Sequence, residues 1–435
     1  MTSRNTSATD VGILALEFYC PSQYVDQDEL EKFDKVSTGK YTIGLGQKRM
    51  SFCTDVEDVN SLSLTVFHRL LEKHNIDPKL IGCVQVGTES VIDKSKSVST
   101  VLMQILESSE NSDVSGVDNI NACFGGTQAL INAVNYVYSP FWDGRLAVVV
   151  MADIASYDRG PARCTGGAGA LALLIGPDAP IVLDTVFAFH KTHVYDFYKP
   201  KGDSEYPVVD GKLSIDCYTD ALDKCFLLYR EKFFKKYGKF PSLDSFAGIC
   251  FHAPYCKLVQ KSLARLHCLD LLVGDDAGPT NSCWNIFCFS SKIDDYEYRR
   301  VEKAMLEQST TMFAKKTQPS LFLAEQVGNM YTSSLYGGLI SLLVNKPLYQ
   351  LVGKQVLMFS YGSGSVAGMF NLCLSADQAE GSKLTTMINQ LSESVLDYVS
   401  NQRTVQTPEI FSQWMQIRED AYGKEFGTRT FYTTL

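Results

Sequence analysis

The chain has no apolar run of membrane-spanning length, no CxxC pair and no surplus of positive charge. Each shortage removes a class of function. A transmembrane helix needs about 20 successive, mostly apolar residues, so nothing points to an integral membrane protein. Without cysteines paired at metal-ligand spacing, a structural zinc site lacks its usual signature. Lys and Arg number 40 against 49 Asp and Glu, a net charge of −9. No basic excess is left to neutralise a nucleic-acid backbone. A small phosphate-bearing ligand stays open, because it needs only a few local lysines. The opening MTSRNTSATD has no apolar signal core, and with one Arg it makes a poor mitochondrial presequence. The cytosol is the expected compartment.

What is present fits a soluble enzyme. Hydrophobic residues make up 45% and charged residues 20%, ordinary for a globular protein. A chain of 435 residues can form two domains or one large duplicated one. Thirteen cysteines, an odd number, include several in apolar segments, among them Cys83, Cys250, Cys288 and Cys373. Most are expected to be reduced, buried, small apolar residues.

Apolar runs bounded by turn signals predict strands at VGILALEFYCP, IGCVQVGTES, GRLAVVVMADIA, GALALLIG, FAGICFHAP, SLFLAEQ, KQVLMFSYGSGS and VAGMFNLCLS. Helical spacing predicts helices at VDQDELEKFDKV, Ser61 to Ile76, VSTVLMQILESS, Ile215 to Tyr237, YCKLVQKSLARLHC and YEYRRVEKAMLEQSTTMFAKK, with two more at the C-terminal end. LVGDDAGPTNS reads as a loop, and Pro180 to Leu213 as loops and short pieces. Strands alternating with helices indicate a layered α/β protein with largely buried sheets. The pattern echoes itself: each half has a strand, a reactive-looking loop, a helix and two strong apolar strands. The division is placed at 1–179 and 180–435.

The stretch NINACFGGTQALINAVNYVYS carries the first chemistry. Cys123 stands between a short strand and an amphipathic helix, where the positive end of the helix dipole favours thiolate over thiol. Gly125 and Gly126 permit close approach of a substrate or another backbone. Cys123 is therefore the candidate acyl-thioester nucleophile. His252 ends an apolar strand, a common position for a catalytic group in α/β proteins; a structural histidine is about as good an account. Glu89 also ends a strand, where partial desolvation would suit it to proton abstraction, although a carboxylate at a helix N-terminus explains it more simply. His190 and His193 have no completing carboxylate or cysteine and are rejected as a metal pair. GSGSVAG lacks the helix a dinucleotide fingerprint requires and reads as a turn between strands, with Ser363 facing a ligand. Lys257 and Lys261, four apart on one helix face, can hold anionic phosphates or simply be solvated.

Taken together, GKYTIGLGQ, VGTES, NACFGGTQAL, TGGAGALALLIGP, YDFYKP, SEYPVVDGKLS, FHAPYCKLVQKSLAR, VGNMYTSSLYGGL and FSYGSGS closely resemble the eukaryotic-type hydroxymethylglutaryl-CoA synthases. The resemblance implies a thiolase-like fold, two similar α/β halves in a five-layer αβαβα arrangement, working as a homodimer. It implies condensation of acetyl-CoA with acetoacetyl-CoA, with no metal and no redox cofactor. By the same resemblance Cys123 takes the acetyl group, Glu89 removes a methyl proton, and His252 binds the second thioester and gives the new alkoxide its proton. Asn329 and Ser363 match acyl contacts, and Lys40, Lys257 and Lys261 match CoA contacts. Ser214 and Thr165 match lesser ligand contacts, while Asp153, Tyr157 and Asp196 match supporting positions. Phe124, Pro161, Ser37 and Thr38 depart from frequent family residues. Two rivals remain: a decarboxylating ketoacyl synthase, which needs no base at Glu89, and a non-catalytic acyl-CoA-binding relative.

Overall fold

The computed structural model describes residues 8–274 and 295–422. Most of the loop expected in LVGDDAGPTNS, the cysteine at Cys288 and the end of the C-terminal tail lie outside the described residues.

Nine strands form one sheet: β1 (Gly12–Tyr19), β2 (Ile81–Gly87), β3 (Asp118–Asn119), β4 (Leu146–Ala155), β5 (Gly167–Gly176), β6 (Ile181–Lys191), β7 (Gly248–Phe251), β8 (Gln355–Gly362) and β9 (Val366–Leu374). Their order is β7-β8-β9-β6-β1-β5-β4-β2-β3. The two halves of this sheet repeat one pattern. In the first, β2 runs parallel to β4, β4 antiparallel to β5, and β5 antiparallel to β1. In the second, β7 runs parallel to β8, β8 antiparallel to β9, and β9 antiparallel to β6. The halves join where Gly12 and Ile13 of β1 pair with Val182 and Ile181 of β6. Gly12 is required there, because a Cβ would lie 2.0 Å from the Ile181 carbonyl oxygen.

The five layers follow from which way alternate strand residues point. Val148, Val150 and Ala152 of β4 pack with Leu62, Val66, Phe67 and Leu70 of the helix Val59–Lys73, the outer layer of the first half. Val149 and Met151, one residue out of phase, face the middle layer. That layer holds the helices Gly125–Tyr138 and Ser334–Asn345, through Ala129, Leu130, Ala133, Leu335, Leu339 and Leu342. Val356 and Met358 of β8 close it from the other side. Leu357 and Phe359 then face Tyr218, Leu222, Phe226 and Leu263, from the helices Gly211–Tyr237 and Cys256–Val273. The order is helix, sheet, helix, sheet, helix, as expected.

Three expectations need correction. Pro180 to Leu213 is not all loop, since β6 fills eleven of its residues. Its irregular burial hides it from a pattern search, and pairing with β9 and β1 holds it. SLFLAEQV is helical, with a 3₁₀ turn over Gln318–Leu321 and an α-helix over Phe322–Val327. A short apolar run carries no periodicity that separates strand from buried helix. VSTVLMQILESS forms one helical turn, Val98–Leu102, followed by two 3₁₀ turns.

The middle layer touches both halves of the sheet, so a cavity there is costly. Leu339→Ala, at a fully buried position, should lower unfolding free energy by about 3 kcal/mol in urea titration. Tyr349→Ala, at a residue 76% exposed, should change it by less than about 0.5 kcal/mol.

Candidate active site

The site forms where the carboxyl ends of β2, β4 and β8 meet the turn that starts the Gly125–Tyr138 helix, and His252 follows the end of β7, the strand next to β8. That turn is held by side chains. Asn119 donates to Gln85 Oε1 at 3.0 Å and to the Val86 carbonyl at 3.1 Å, and it accepts from Asn132 at 2.7 Å. Ala122 is forced to φ 44°, a left-handed conformation that a non-glycine residue rarely adopts. Cys123 follows at once. The helix behind it comes so close to β2 that a Cβ on Gly87 would lie 2.4 Å from Gly126 Cα. This close approach is what places Glu89, two residues beyond Gly87, beside the sulfur.

Cys123 Sγ donates to Glu89 Oε1 at 3.2 Å, and the cysteine keeps partial exposure. Behind the pair lies Asp153, fully buried near the end of β4. One of its oxygens accepts from Thr88 Oγ1 at 3.0 Å, the Glu89 N–H at 2.8 Å and Ser90 Oγ at 2.8 Å. The other accepts from the Thr332 N–H at 3.0 Å and from the Thr332 hydroxyl. Asp153 thus ties the Glu89 loop to the Asn329–Thr332 turn of the other half.

Burial dominates the electrostatics. It raises the Glu89 carboxyl to about 7, against a lowering contribution from Lys199. It raises the Cys123 thiol well above its ordinary range, with the Glu89 charge adding to the effect. The expected thiolate is therefore corrected to a neutral thiol hydrogen-bonded to a carboxylate. Desolvation and the adjoining negative charge outweigh the helix terminus. His252 is 2% exposed, and burial lowers its pKa to about 3. The resting ring is thus neutral, and any hydrogen bond it gives the new alkoxide comes from the N–H of an uncharged imidazole. Its backbone is fixed by donation to the Phe359 carbonyl and acceptance from Tyr218 Oη, both at 2.8 Å.

The remaining candidates fall into groups. Asn329 Oδ1 accepts from the Tyr331 N–H at 2.9 Å and Ser334 Oγ at 2.8 Å, and its own N–H reaches the Gly166 carbonyl next to Thr165 at 3.1 Å. Thr165 Oγ1 donates to the Ala162 carbonyl at 2.7 Å. The Tyr157 ring meets Tyr331 edge-on at 6.3 Å. Asp196 accepts from the Gly364 N–H at 2.9 Å and Tyr361 Oη at 3.2 Å, and Asn121 Nδ2 donates to the Ser363 carbonyl at 3.2 Å. Asp196 therefore braces the turn after β8, and Asn121 ties that turn to the Cys123 loop. Ser214 lies in the first turn of its helix, where its N–H donates to the Asp210 carbonyl, and the Asp210 N–H in turn donates to the Asp196 carbonyl.

The lysines form a separate group. The Lys40 loop docks on the start of the Cys256–Val273 helix, with the Lys257 N–H donating to the Leu45 carbonyl at 2.9 Å and the Cys256 N–H to Gln47 Oε1 at 3.0 Å. Lys40 is exposed. Lys257 Nζ donates to Gln260 Oε1 at 2.9 Å, and Lys261 pairs with Glu302 at 3.0 Å. Phe124 does not project a polar edge: it is buried and meets Phe189 edge-on at 6.4 Å.

Sequence reasoning missed Lys199, Tyr331 and Thr332. Lys199 Nζ donates to the Glu89 carbonyl at 3.5 Å and sits 5.0 Å from the centre of the Tyr331 ring. No local pattern marks these residues, since each gains its place through contacts more than a hundred residues away in the chain.

Models of the hydroxymethylglutaryl-coenzyme A synthase N terminal and C terminal match residues 7–180 and 181–434 respectively. The chain belongs to the hydroxymethylglutaryl-CoA synthase family. It is 52% identical over 424 residues to the cytoplasmic synthase of Mus musculus, covering 95% of this chain and 81% of that one. It is 49% identical to the mitochondrial synthase of Sus scrofa, covering 97% and 84%. Among solved structures, MvaS in complex with 3-hydroxy-3-methylglutaryl coenzyme A superposes with a TM-score of 0.82 at 30% identity, covering 96% of this chain and 94% of that one. As a member of this family the chain is an acyl-CoA condensing enzyme with the thiolase-like fold.

Alkylation of Cys123 by iodoacetamide should rise with pH without levelling off below pH 9, because burial and Glu89 hold the thiol protonated. Glu89→Gln, which removes the neighbouring charge, should speed alkylation at pH 8. A rate already level at neutral pH would contradict the neutral thiol.

Proposed function

We propose that the chain condenses acetyl-CoA with acetoacetyl-CoA and water, giving 3-hydroxy-3-methylglutaryl-CoA and CoA through an acetyl-Cys123 intermediate. The observation that supports it most is the 3.2 Å contact between Cys123 Sγ and Glu89 Oε1. A decarboxylating relative would have no use for a carboxylate there.

Cys123 attacks the acetyl thioester as its proton passes to the departing CoA sulfur, which leaves as a thiol. Acetylation removes the S–H that Glu89 had been accepting. The freed carboxylate takes a proton from the acetyl methyl group, and backbone N–H groups around Cys123 steady the enolate oxygen. The carbanion attacks the ketone of acetoacetyl-CoA. His252 enters as a neutral imidazole whose ring N–H hydrogen-bonds to that oxygen as charge builds. The proton held by Glu89 supplies the new hydroxyl. Water then cleaves the thioester to Cys123, leaving a free carboxylate on the product and restoring the thiol. The steps transfer protons and an acyl group and form one carbon–carbon bond between a carbanion and a ketone, so no cofactor is invoked.

Lys40, Lys257 and Lys261 serve the phosphates of CoA, Asn329 and Ser363 the acyl portion, and Thr165 and Ser214 lesser contacts. Asp153, Tyr157 and Asp196 support the site. In this scheme the half through residue 179 supplies Glu89 and Cys123, and the half from 180 supplies His252, Asn329 and Ser363. The relatives named cytoplasmic favour a cytosolic role in the mevalonate route to isoprenoids. A homodimer is favoured by the sheet edge: β3 is an end strand, flanked by Val117 at 60% and Ile120 at 62% exposure. An edge of that kind invites pairing with a second copy.

Two experiments test this reading. With labelled acetyl-CoA, Cys123→Ala should retain no label after denaturation, while Glu89→Ala should retain it yet lose condensation by roughly 10²–10⁴-fold. Equal loss of both half-reactions in Glu89→Ala would remove its role as base. Ile120→Asp should shift the sedimentation coefficient from that of a dimer to that of a monomer, and an unchanged coefficient would rule out this edge as the interface.

A further inference from the structure

Two carboxylates and a thiol share the floor of the site. Asp153 is fully buried, and its two oxygens are occupied by five hydrogen bonds from Thr88, Glu89, Ser90 and Thr332. Glu89 holds the Cys123 sulfur. Such a cluster opposes a second negative charge, because desolvation and the like charge both favour protonated Glu89. Glu89 as a base requires the charged form.

The groups that face Glu89 come from several elements. Asp153 lies on β4 and Cys123 at the head of the Gly125–Tyr138 helix. Tyr331 lies in the turn before the Ser334–Asn345 helix, with Tyr157 against its ring. The cation is Lys199, just past the two-residue strand Phe197–Tyr198. Its ammonium lies 3.5 Å from the Glu89 carbonyl and 5.0 Å from the Tyr331 ring centre. A cation over an aromatic face at that range is attracted to it. The ring also meets Phe197 edge-on at 5.9 Å, so ring and lysine pack as one group beside the Glu89 backbone.

We propose that Lys199 is a positioning residue for the proton-abstraction step, its ammonium held on the Tyr331 ring so that Glu89 can stand ionised beside Asp153. This rests on Glu89 being the base. Lys199 acts through charge and not by touching substrate. The direction of the electrostatic influence agrees: Lys199 opposes the upward pressure that burial puts on Glu89, Asp153 and Cys123.

The test compares pH profiles of condensation, measured with saturating acetyl-CoA and acetoacetyl-CoA, for Lys199→Met, Lys199→Arg and the parent enzyme. In Lys199→Met the acidic limb should move to higher pH by about one unit or more, with the rate recovering at alkaline pH. Lys199→Arg should restore the parent limb. Label retained on Cys123 should stay near the parent level in both. A Lys199→Met profile that overlays the parent, or a loss equal at every pH and not rescued by arginine, would overturn the proposal. If the methionine variant does not fold, Lys199→Gln carries the same comparison. Glu89→Ala assayed alongside separates the two failures. Intact condensation in that variant would remove the base itself, whereas its loss with an unmoved Lys199→Met profile would remove only the role of the lysine.

Discussion

A buried carboxylate with every lone pair engaged holds the active site together. Asp153 receives two donors from the Thr332 residue of one half and three from the Thr88–Ser90 segment of the other. An ionised group in a dry interior is tolerated only when it is fully hydrogen-bonded. Asp153 therefore demands that both segments stay where they are. The position of Glu89 follows from this demand, because its own N–H is one of the donors. The position of Tyr331 follows too, since it lies between Asn329 and Thr332 in a turn pinned at both ends. Its φ of 43° is a strained conformation that such pinning can hold.

The same dryness sets the charge states. Water is the usual stabiliser of thiolate, carboxylate and imidazolium alike, and the protein keeps nearly all of it from His252 and part of it from Cys123 and Glu89. Cys123 and Glu89 move up and His252 moves down chiefly for that reason, with the neighbouring carboxylate charges adding to the rise at Cys123 and Glu89. The helix N-terminus behind Cys123 remains favourable to negative charge. It is outweighed because Glu89 lies in hydrogen-bond contact with the sulfur.

Much of this is legible in the sequence, and the boundary between what is and is not is physical. β4, β5, β8 and β9 read clearly because both faces are covered and nearly every residue is apolar. β6 does not, since its neighbours leave Asp184, Phe187 and Phe189 in mixed surroundings. The helix through Phe322–Val327 reads as a strand because six residues are too few to establish a helical period. Cys123, Glu89 and His252 are marked by their places at strand and helix ends. Their charge states are not legible, because protonation depends on the surrounding volume and not on local order. Lys199 escapes notice for a related reason: its significance lies in a distance to Glu89, a residue 110 positions away.

The contact between sulfur and carboxylate also bears on the order of events in the proposed reaction. While Cys123 carries its proton, Glu89 is engaged with the thiol and is poorly placed to meet a methyl group. Acetylation removes that S–H and brings in the methyl group on which the carboxylate acts. The base is thus released by the step that creates its substrate. A permanently ionised cysteine would lack this coupling, because it would repel the carboxylate it needs next. A neutral thiol makes the slower nucleophile, but it lets one carboxylate serve two steps without an opposing charge beside it.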